Sequence, residues 1–514
     1  MRLWRNILSA ALVSMGAMSA QAAVTLPPVI DSHMVLQHGQ SVPVWGTAVS
    51  GEEVTVKFRD QMKSTKAGAD GKWSVKLDAL KVGGPDVMTI AGSNTITLDD
   101  VLVGEVWVGS GQSNMQGTVS GYAKSDPVLD KLAKETYPKL RLMRGVRSKW
   151  ALATPENNGG ASAILFAFGV RLQQKLDMPV GIMVGAVGGT PSGYWLTADH
   201  LANDAAAQQS IKKFAESYPL DMLREKHKAD LAAWEKQYGA DAKAGKKVPS
   251  APPEPQPAGE CRGKIGNLYE AHIRPYQPFA IRGVLWDQGE SGTAITGLDQ
   301  YYAMSALIKG WRKDWGQGEF PFLYVQKQSG GGCAFDPQDP VTDKADAFTP
   351  LPKAVPATGE GLYRELHQRI AEHPRTAMVG STDLGPGIHP TNKSGYGTRA
   401  AQVALGFVYE QDVAISGPTY KSHVVEGEKV RIHFNHVRGG LLFKHGDKLQ
   451  GFAVSGDGKS FHWADAVIDG ETVIVSCQDV KSPTAVRYAW GSRHTWANLF
   501  NKDGLPANAF RTDK

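Results

Sequence analysis

The stretch that decides the fold is residues 101–116, which have the sequence VLVGEVWVGSGQSNMQ. Its first half, residues 101–108, is a short apolar run of the kind that forms a buried strand. The run continues directly into Gly109-Ser110-Gly111-Gln112-Ser113, where the glycines permit a tight turn and a close approach of two backbones. Such a turn can expose a serine above the edge of a sheet. Ser113 is therefore a candidate nucleophile for acyl transfer, although an ordinary Gly/Ser-rich turn has the same local sequence.

The composition is that of an ordinary globular protein. Of the 514 residues, 42% are hydrophobic and 21% are charged. This length corresponds to about three domains of ~150 residues each. The net charge is only +5 over the whole chain, so nothing in the composition favours nucleic acid or an anionic membrane as a partner.

Residues 1–22 have the pattern of a cleavable secretion signal. Arg2 and Arg5 form a basic region, an apolar region follows, and Ala20-Gln21-Ala22 has the small-x-small pattern of a cleavage site. The apolar region is too short to span a bilayer stably, and no later segment approaches ~20 continuous apolar residues. We therefore expect an exported protein, periplasmic or extracellular.

Export bears on the three cysteines, because an exported chain tolerates disulfide bonds. Cys261 and Cys333 both lie in polar, Gly/Pro-rich segments and could pair. Cys477 lies in an apolar, strand-like run and is expected to be a small buried hydrophobic residue. No Cys or His spacing indicates a zinc site, and we expect no metal and no organic cofactor.

The pattern of strands and turns divides the chain into three units. Residues 23–100 contain short, often alternating strand-like segments between turn signals, which predicts an antiparallel β-sandwich. Residues 101–417 alternate strands with helices, which predicts a three-layer α/β domain with a mostly parallel sheet. Residues 418–514 return to short strands and form a second β-rich unit. Within the middle unit, residues 198–260 predict an inserted helix pair that ends in a proline-rich linker.

The elements of the middle unit follow from its apolar periodicity. Strands are expected at residues 180–184, 281–286, 320–325 and 376–379. Helices are expected at 161–176, 301–311, 362–373 and about 393–408. In a parallel sheet, the site lies at the carboxyl ends of the strands, so the segments that follow these strands are the ones to examine.

Two of those segments supply hydrogen-bond donors and a carboxylate. Gly188 and Gly189 follow the strand at 180–184 and expose backbone N–H groups that could stabilise an oxyanion. Gln288 and Glu290 follow the strand at 281–286 and place an amide and a carboxylate on one tight turn. From composition alone, an ordinary capped turn, with Glu290 accepting a backbone N–H, is the favoured interpretation of the second segment.

The third segment supplies a base. His389 lies on a loop between the last predicted strand and a helix, and a neutral imidazole there could take the proton of Ser113. The chain has 14 histidines, and a single histidine is more often structural. What distinguishes His389 is its position in the same sheet as Ser113. Together the segments supply nucleophile, oxyanion donors, acid and base, which is the logic of a Ser/His/acid site.

These segments resemble the sequence blocks of the SGNH (GDSL-like) hydrolases, specifically of the sialate O-acetylesterase group. The matching blocks are residues 111–115, 188–191, 286–291 and 388–393. Similarity at both ends of the mature chain extends the resemblance to nearly its whole length. The resemblance implies an SGNH-type α/β/α fold, with Ser113 as nucleophile and His389 as base.

The chain differs from the group at the position of the acid that orients the catalytic histidine. The group often has an aspartate shortly before the catalytic histidine, where this chain has Pro386 and Gly387. Related acetylxylan esterases use the glutamate of the Gln-Gly-Glu turn, which makes Glu290 the first candidate. Asp383 is the second, and a plain pair of Ser113 and His389 is the third.

The resemblance also implies roles for the neighbouring residues. The oxyanion would be held by the N–H groups of Ser113 and Gly189 and by the Gln288 amide. Gln112 and Asn114 flank the nucleophile and are expected to hold the turn rather than to contact substrate. Near the site, Tyr122, Tyr194 and Trp195 would suit stacking on a sugar or packing in the core.

The expected substrate is an O-acetylated carbohydrate. The group's name points to acetylated sialic acid, but the chain has Gly292 and Ser192-Gly193 where the group often has an asparagine and a glutamate. Acetylated xylan or xyloglucan therefore stays an alternative. Two other classes are also open: a carbohydrate-binding homologue without activity, and a lipid or aryl esterase on the same fold.

Overall fold

The computed structural model describes residues 23–327, 329–345 and 347–513, so the predicted secretion signal lies outside the described residues. The first part of the chain is made of strands. They are β1 (Val35–Gln37), β2 (Val42–Thr47), β3 (Glu53–Phe58), β4 (Gln61–Lys66), β5 (Lys72–Leu77), β6 (Gly83–Ala91) and β7 (Thr95–Gly111).

The N-terminal strands alternate buried and exposed side chains, as expected of strands with one face on a core. Along β3, for example, Val54, Val56 and Phe58 are fully buried while their neighbours face outward. β3 pairs antiparallel with β4 and β6, and β2 pairs antiparallel with β5 in a separate sheet. Two sheets share this core, in agreement with the predicted sandwich.

Strand β7 connects the N-terminal unit to the rest of the molecule. Its first part pairs with β6 and β1, and its last part lies in the central sheet. Residue 100, the expected end of the N-terminal unit, is inside this strand. The division of the chain at residues 100 and 417 stays a prediction.

The middle of the chain alternates helices and strands. Short 3₁₀ turns lie at Ala123–Ser125, Ser192–Trp195, Arg274–Tyr276, Thr358–Gly361 and Ile370–Glu372. The remaining elements are α1 (Ser113–Gln116), α2 (Val119–Tyr122), α3 (Pro127–Ala133), β8 (Tyr137–Met143), β9 (Ala151–Ala153), α4 (Pro155–Asn158), α5 (Ala163–Leu176), β10 (Val180–Ala186), α6 (Ala198–Ala202), α7 (Ala205–Ala215), α8 (Leu220–Lys243), α9 (Asn267–His272), β11 (Gly283–Asp287), α10 (Gln300–Trp315), β12 (Phe322–Val325), α11 (Leu362–Arg369), β13 (Thr376–Val379) and α12 (Lys393–Phe407).

The central sheet has the strand order β13-β12-β11-β7-β10-β8-β9. Its strands run parallel except for β9, which is antiparallel to β8. In register, Gly111 at the end of β7 lies beside Ala186 of β10 and Asp287 of β11. The carboxyl ends of three neighbouring strands therefore meet at Gly111.

Helices cover both faces of this sheet. Val106 and Val108 of β7 pack into one hydrophobic cluster, which contains α10, and Trp107 between them packs into another, which contains α5 and α12. Both clusters are built from fully buried side chains. This is the three-layer α/β fold with a mostly parallel sheet that the sequence predicts, and the predicted strands and helices match the observed ones within a few residues.

The insertion at 198–260 differs from the predicted helix pair, because it contains three helices, α6 to α8. The chain breaks between α6 and α7 because Asp204 caps the second helix, its side chain accepting the N–H of Ala207 over 2.8 Å. Pro219 precedes α8. No helix in the described ranges is both long enough and apolar enough to cross a bilayer.

The last part of the chain is a β-rich unit, as predicted. Cys261 and Cys333, whose pairing the sequence leaves open, are not joined by a disulfide bond, and Cys477 is half-buried. The strands of this unit are β14 (Thr419–Glu426), β15 (Lys429–Asn435), β16 (Leu441–Phe443), β17 (Phe452–Ser455), β18 (His462–Trp463), β19 (Asp465–Asp469), β20 (Thr472–Ser476), β21 (Ala485–Tyr488), β22 (Leu499–Asn501) and β23 (Phe510–Arg511).

Candidate active site

Ser113 lies immediately beyond the end of β7, at the carboxyl edge of the sheet. Gly111 has a φ of +125°, and a Cβ atom there would lie 2.1 Å from the carbonyl oxygen of Asp287. Only glycine fits this position. The N–H of Gln112 donates to the same Asp287 carbonyl over 2.9 Å. Strands β7 and β11 therefore fix the turn, which presents a half-buried Ser113 as the first residue of α1.

His389 reaches this serine from the loop between β13 and α12. Its Nε2 lies 2.8 Å from the Oγ of Ser113. When the hydroxyl donates to Nε2, that nitrogen is the acceptor, and the neutral ring carries its proton on Nδ1. The imidazole is then placed to take the hydroxyl proton. The structure thus brings together the two residues predicted to be nucleophile and base.

Asp383, the second candidate acid, has another partner. Its two carboxylate oxygens accept hydrogen bonds from the two terminal nitrogens of Arg399, each over 3.0 Å. This is the two-pronged geometry that guanidinium and carboxylate groups favour. Asp383 makes no hydrogen bond to His389, and its role as the acid stays a prediction.

Glu290, the first candidate acid, is also held elsewhere. It accepts a hydrogen bond from Nε2 of Gln112 over 2.6 Å and lies 2.9 Å from Nζ of Lys327. The hydroxyl of Ser329 donates to it over 3.2 Å. Across the described residues, no carboxylate accepts a hydrogen bond from His389. The contact that the structure shows is that of the third alternative, a Ser–His pair, and the role of Glu290 as the acid stays a prediction.

Backbone donors surround the serine on the side of β10. The N–H of Gly188 donates to Oε1 of Gln116 over 2.8 Å, and a Cβ at Gly188 would lie 3.3 Å from Cβ of Ser113. The next residue, Gly189, has a φ of +71° and faces open space. Within the described part of the chain, the N–H groups of Ser113 and Gly189 donate to no acceptor. Both are available for an oxyanion.

Gln288 does not have its expected role as an oxyanion donor. The residue is only 1% exposed, and its Nε2 donates to the carbonyls of Thr190 and Gly292 over 3.2 and 3.0 Å. Its Oε1 accepts from Nε2 of Gln300 over 2.9 Å. The amide therefore ties the loop after β10 to the loop after β11, and it has no hydrogen left for a substrate.

The residues on either side of the serine hold the turn, as the sequence predicts for them. Gln112 donates inward to Glu290, as described above. Asn114 donates from Nδ2 to the carbonyl of Ile388 over 2.9 Å, and its Oδ1 accepts from Nζ of Lys393 over 2.6 Å. Both Gln112 and Asn114 are buried, so neither offers its amide to a substrate.

Lys327 is a buried residue of the site that sequence reasoning missed. Its Nζ lies 2.7 Å from Asp287 and 2.9 Å from Glu290, and it is completely inaccessible to solvent. Burial opposes its charge, but the two carboxylates raise the pKa of Lys327 above the ordinary lysine value. A signal was available, since this lysine comes directly after the apolar strand β12, at the same edge as Ser113.

Lys393 is a second buried lysine, and in the sequence it is the last residue of the block at 388–393. It is 0% exposed, and its Nζ lies 4.5 Å from the centre of the Tyr122 ring. Burial lowers the pKa of Lys393 to about 7, although Asp287 opposes this shift. The Nζ group of Lys393 is thus buried against the nucleophile turn.

The aromatic residues expected near the site divide between core and rim. Trp195 is 0% exposed, and its Nε1 donates to Oγ1 of Thr190 over 3.0 Å, so it is a core residue. Tyr194 is half-buried and donates to the carbonyl of Arg262 over 2.9 Å. Tyr122 is half-buried. Of the two interpretations, core packing holds for Trp195.

A cleft of about 400 Å³ opens beside the His389 loop. Glu290, Tyr363 and Ile388 line it from the central unit, and Arg493 and Thr495 line it from the C-terminal unit. Ile388, next to His389, is 61% exposed at its rim. No group of His, Cys, Asp and Glu side chains among the described residues is arranged to hold a metal ion.

Known proteins with related sequences are esterases. No family model matches the chain. Sialate O-acetylesterase from Rattus norvegicus is 31% identical over 345 residues, which are 58% of this chain and 59% of the rat protein. That alignment spans less than two thirds of the rat enzyme. Sialate O-acetylesterase from Homo sapiens is 26% identical over 515 residues, which cover 90% of this chain and 86% of the human protein.

A solved structure also resembles the whole chain. A carbohydrate acetylesterase from Xanthomonas citri superposes with a TM-score of 0.72 and 28% identity, covering 96% of this chain and 100% of that one. The α/β fold is thus shared with a carbohydrate acetylesterase, and these relatives in sequence are carboxylic ester hydrolases. The chain is similar to the sialate O-acetylesterases and to this carbohydrate acetylesterase over most of its length.

Proposed function

We propose that the chain is an exported carbohydrate O-acetylesterase in which Ser113 is the nucleophile and His389 the base. The observation that carries this proposal is the 2.8 Å contact between Oγ of Ser113 and Nε2 of His389 at the carboxyl edge of the sheet. The names of the relatives support an acetylated sugar as the substrate class. Export rests on the sequence of residues 1–22, and N-terminal sequencing of the protein recovered outside the cytoplasm tests it.

The first half of the reaction forms an acetyl–enzyme. The Ser113 oxygen attacks the acetyl carbonyl while Nε2 of His389 takes the hydroxyl proton. The oxyanion lies against the N–H groups of Ser113 and Gly189, and one such donor is worth about 3–4 kcal/mol of barrier. His389 then gives its proton to the departing sugar oxygen, which leaves as an alcohol.

The second half releases acetate. His389 takes a proton from water, the hydroxide attacks the acetyl–serine carbonyl, and the Ser113 oxygen leaves and regains its proton from the imidazolium. The exposed position of His389 lets solvent stabilise the imidazolium. This accounts for a pair that works without the usual carboxylate. The cleft between the central and C-terminal units would hold the sugar next to this pair.

A carbohydrate-binding protein without catalysis is the second candidate, because no described carboxylate contacts His389. One experiment separates the two. Acetate release is measured from acetylated sialic acid, acetylxylan, acetylated xyloglucan and p-nitrophenyl acetate, with Ser113→Ala as the matched variant. Release by the wild type and its loss in the variant support the esterase. A wild type that binds acetylated sugars but releases no acetate overturns it, and rates that rise with acyl chain length favour a lipid esterase.

A further inference from the structure

Asn114 links the two segments that carry the candidate catalytic residues. It follows Ser113 in the chain, and its Nδ2 donates to the carbonyl of Ile388, the residue before His389, over 2.9 Å. The distance between nucleophile and base therefore depends on this one side chain. The link works only while the NH₂ end of the amide faces Ile388.

Lys393 sets that direction. Its Nζ donates to Oδ1 of Asn114 over 2.6 Å. Nζ donates to the amide oxygen and the Ile388 carbonyl can only accept, so the two contacts together place the oxygen of the amide at Lys393 and its NH₂ end at Ile388. Without Lys393, the amide could turn over and lose the Ile388 bond. The lysine thus selects the orientation that ties His389 to Ser113.

The surroundings of Lys393 argue against a purely structural ion pair. Among the described residues, no carboxylate lies within 4.0 Å of its Nζ, and the side chain is completely buried. The charged groups that influence it from farther away are Asp126, Asp287, Glu290 and Lys327. Burying a lysine Nζ without a carboxylate partner costs free energy that an apolar side chain would save. The contact that Nζ does make is the hydrogen bond to Asn114.

The neighbouring backbone holds Lys393 in place. Asp126 accepts hydrogen bonds from the N–H and the hydroxyl of Ser394, each over 2.8 Å. Asn392 caps the same helix by accepting the N–H of Gly395 over 2.8 Å. The start of α12 is therefore rigid, and Nζ meets Asn114 at a fixed point.

We propose that Lys393 is a positioning residue, which orients Asn114 so that His389 is held at hydrogen-bonding distance from Ser113. The proposal rests on the Ser–His chemistry proposed above. Lys393 itself contacts neither the reacting atoms nor a substrate.

Two substitutions test the link from opposite ends. Lys393→Met removes the donor and keeps the length of the side chain. Asn114→Asp keeps the acceptor for Lys393 but cannot donate to Ile388. A small misplacement of reacting groups costs up to about 100-fold in rate, so we expect each variant to lower kcat by about tenfold or more with little change in KM. Lys309→Met is the matched control, because Lys309 bonds Asp204 over 2.8 Å away from the site.

Asn114→Asp also separates positioning from folding. It exchanges the hydrogen bond to Ile388 for an ion pair with Lys393, so we expect the variant to stay folded, as thermal melts would check, while kcat falls. Full kcat in this variant overturns the proposal, as does full kcat in Lys393→Met. If Lys393→Met fails to fold, Asn114→Asp decides alone.

A covalent probe makes the test independent of the sugar. A fluorophosphonate labels an activated serine, and its rate of reaction with Ser113 measures alignment with His389 directly. Slower labelling in both variants than in Lys309→Met supports the proposal even if no acetylated sugar is hydrolysed. A wild type whose Ser113 does not label overturns the proposal together with the Ser–His chemistry.

Discussion

Oγ of Ser113 lies 2.8 Å from Nε2 of His389, although 276 residues separate them in the chain. The parallel sheet creates this contact, because β7 and β13 end at the same edge. Asn114 then ties the two loops together through the carbonyl of Ile388. The candidate acids Glu290 and Asp383 are bonded to Lys327 and Arg399 and not to His389.

His389 is predicted to be essential, and its removal should leave the fold intact. His389→Asn keeps the approximate size of the side chain but cannot act as a base, and general base catalysis is worth about 10²–10⁴-fold. We expect kcat/KM for acetate release to fall by about 10³-fold without a change in melting temperature, because the side chain is exposed. His462→Asn, at another exposed histidine, is the control. A His389→Asn variant with a substantial fraction of wild-type activity contradicts the assignment.

We predict that substitutions of Asp383 and Glu290 have effects different from those expected when the acid of a catalytic triad is removed. Asp383→Asn should change kcat/KM by less than about threefold, since Asp383 bonds Arg399 and not His389. Glu290→Gln should lower kcat by about tenfold and also lower the melting temperature, because it weakens the buried contact with Lys327. Steady-state kinetics and thermal melts measure both effects. A collapse of kcat in Asp383→Asn at wild-type stability would restore that residue as the acid.

Substitutions of the adjacent residues Gly188 and Gly189 can be compared to test the proposed oxyanion site. In Gly188→Ala, the added Cβ meets Oε1 of Gln116 at 3.0 Å and Cβ of Ser113 at 3.3 Å, so the loop must shift and kcat should fall by about tenfold. In Gly189→Ala, the Cβ faces open space and the N–H donor is kept. That variant should lose about 1 kcal/mol of stability because of its positive φ, yet keep its activity. The reverse ranking of activities contradicts the proposed donor arrangement.

Most strands and helices of the central unit can be predicted from the sequence, because the spacing of apolar residues distinguishes strands from helices. Strand β13 was predicted at its observed bounds, and α5 and α12 within two residues. The exception was the insertion, where the cap at Asp204 divides the chain into more helices than composition indicates. Caps of this kind depend on one side chain and leave little trace in a periodic pattern.

The partners of polar side chains were less predictable than their positions. Gln288, Glu290 and Asp383 all lie at the carboxyl edge, as expected, but each side chain bonds a neighbour other than the expected one. Glu290 has a different partner because Lys327, which follows a different strand, pairs with it inside the protein. The direction and burial of a side chain decide which of two nearby charges a carboxylate contacts. Neither property can be predicted from the spacing of residues along the chain.

Because His367 is buried, we predict that the free energy of unfolding of the protein decreases in acid. Its imidazole is completely buried, and burial, together with the charges of Lys327 and Arg364, lowers its pKa to about 3 from an ordinary value of about 6.5. The unfolded chain therefore binds a proton that the folded chain excludes. The stability due to the neutral ring is complete above about pH 6.5 and decreases by ~1.4 kcal/mol per pH unit as the pH falls toward the folded value.

His367→Leu removes this titration. We expect the melting temperature of the wild type, relative to that of the variant, to fall steadily between about pH 7 and about pH 4.5, because only the wild type must bury a group that acid protonates. His462→Leu, at the exposed histidine, serves as the control and should follow the pH dependence of the wild type. A difference between wild type and His367→Leu that stays constant over this range would show that the buried ring is not the acid-sensitive group.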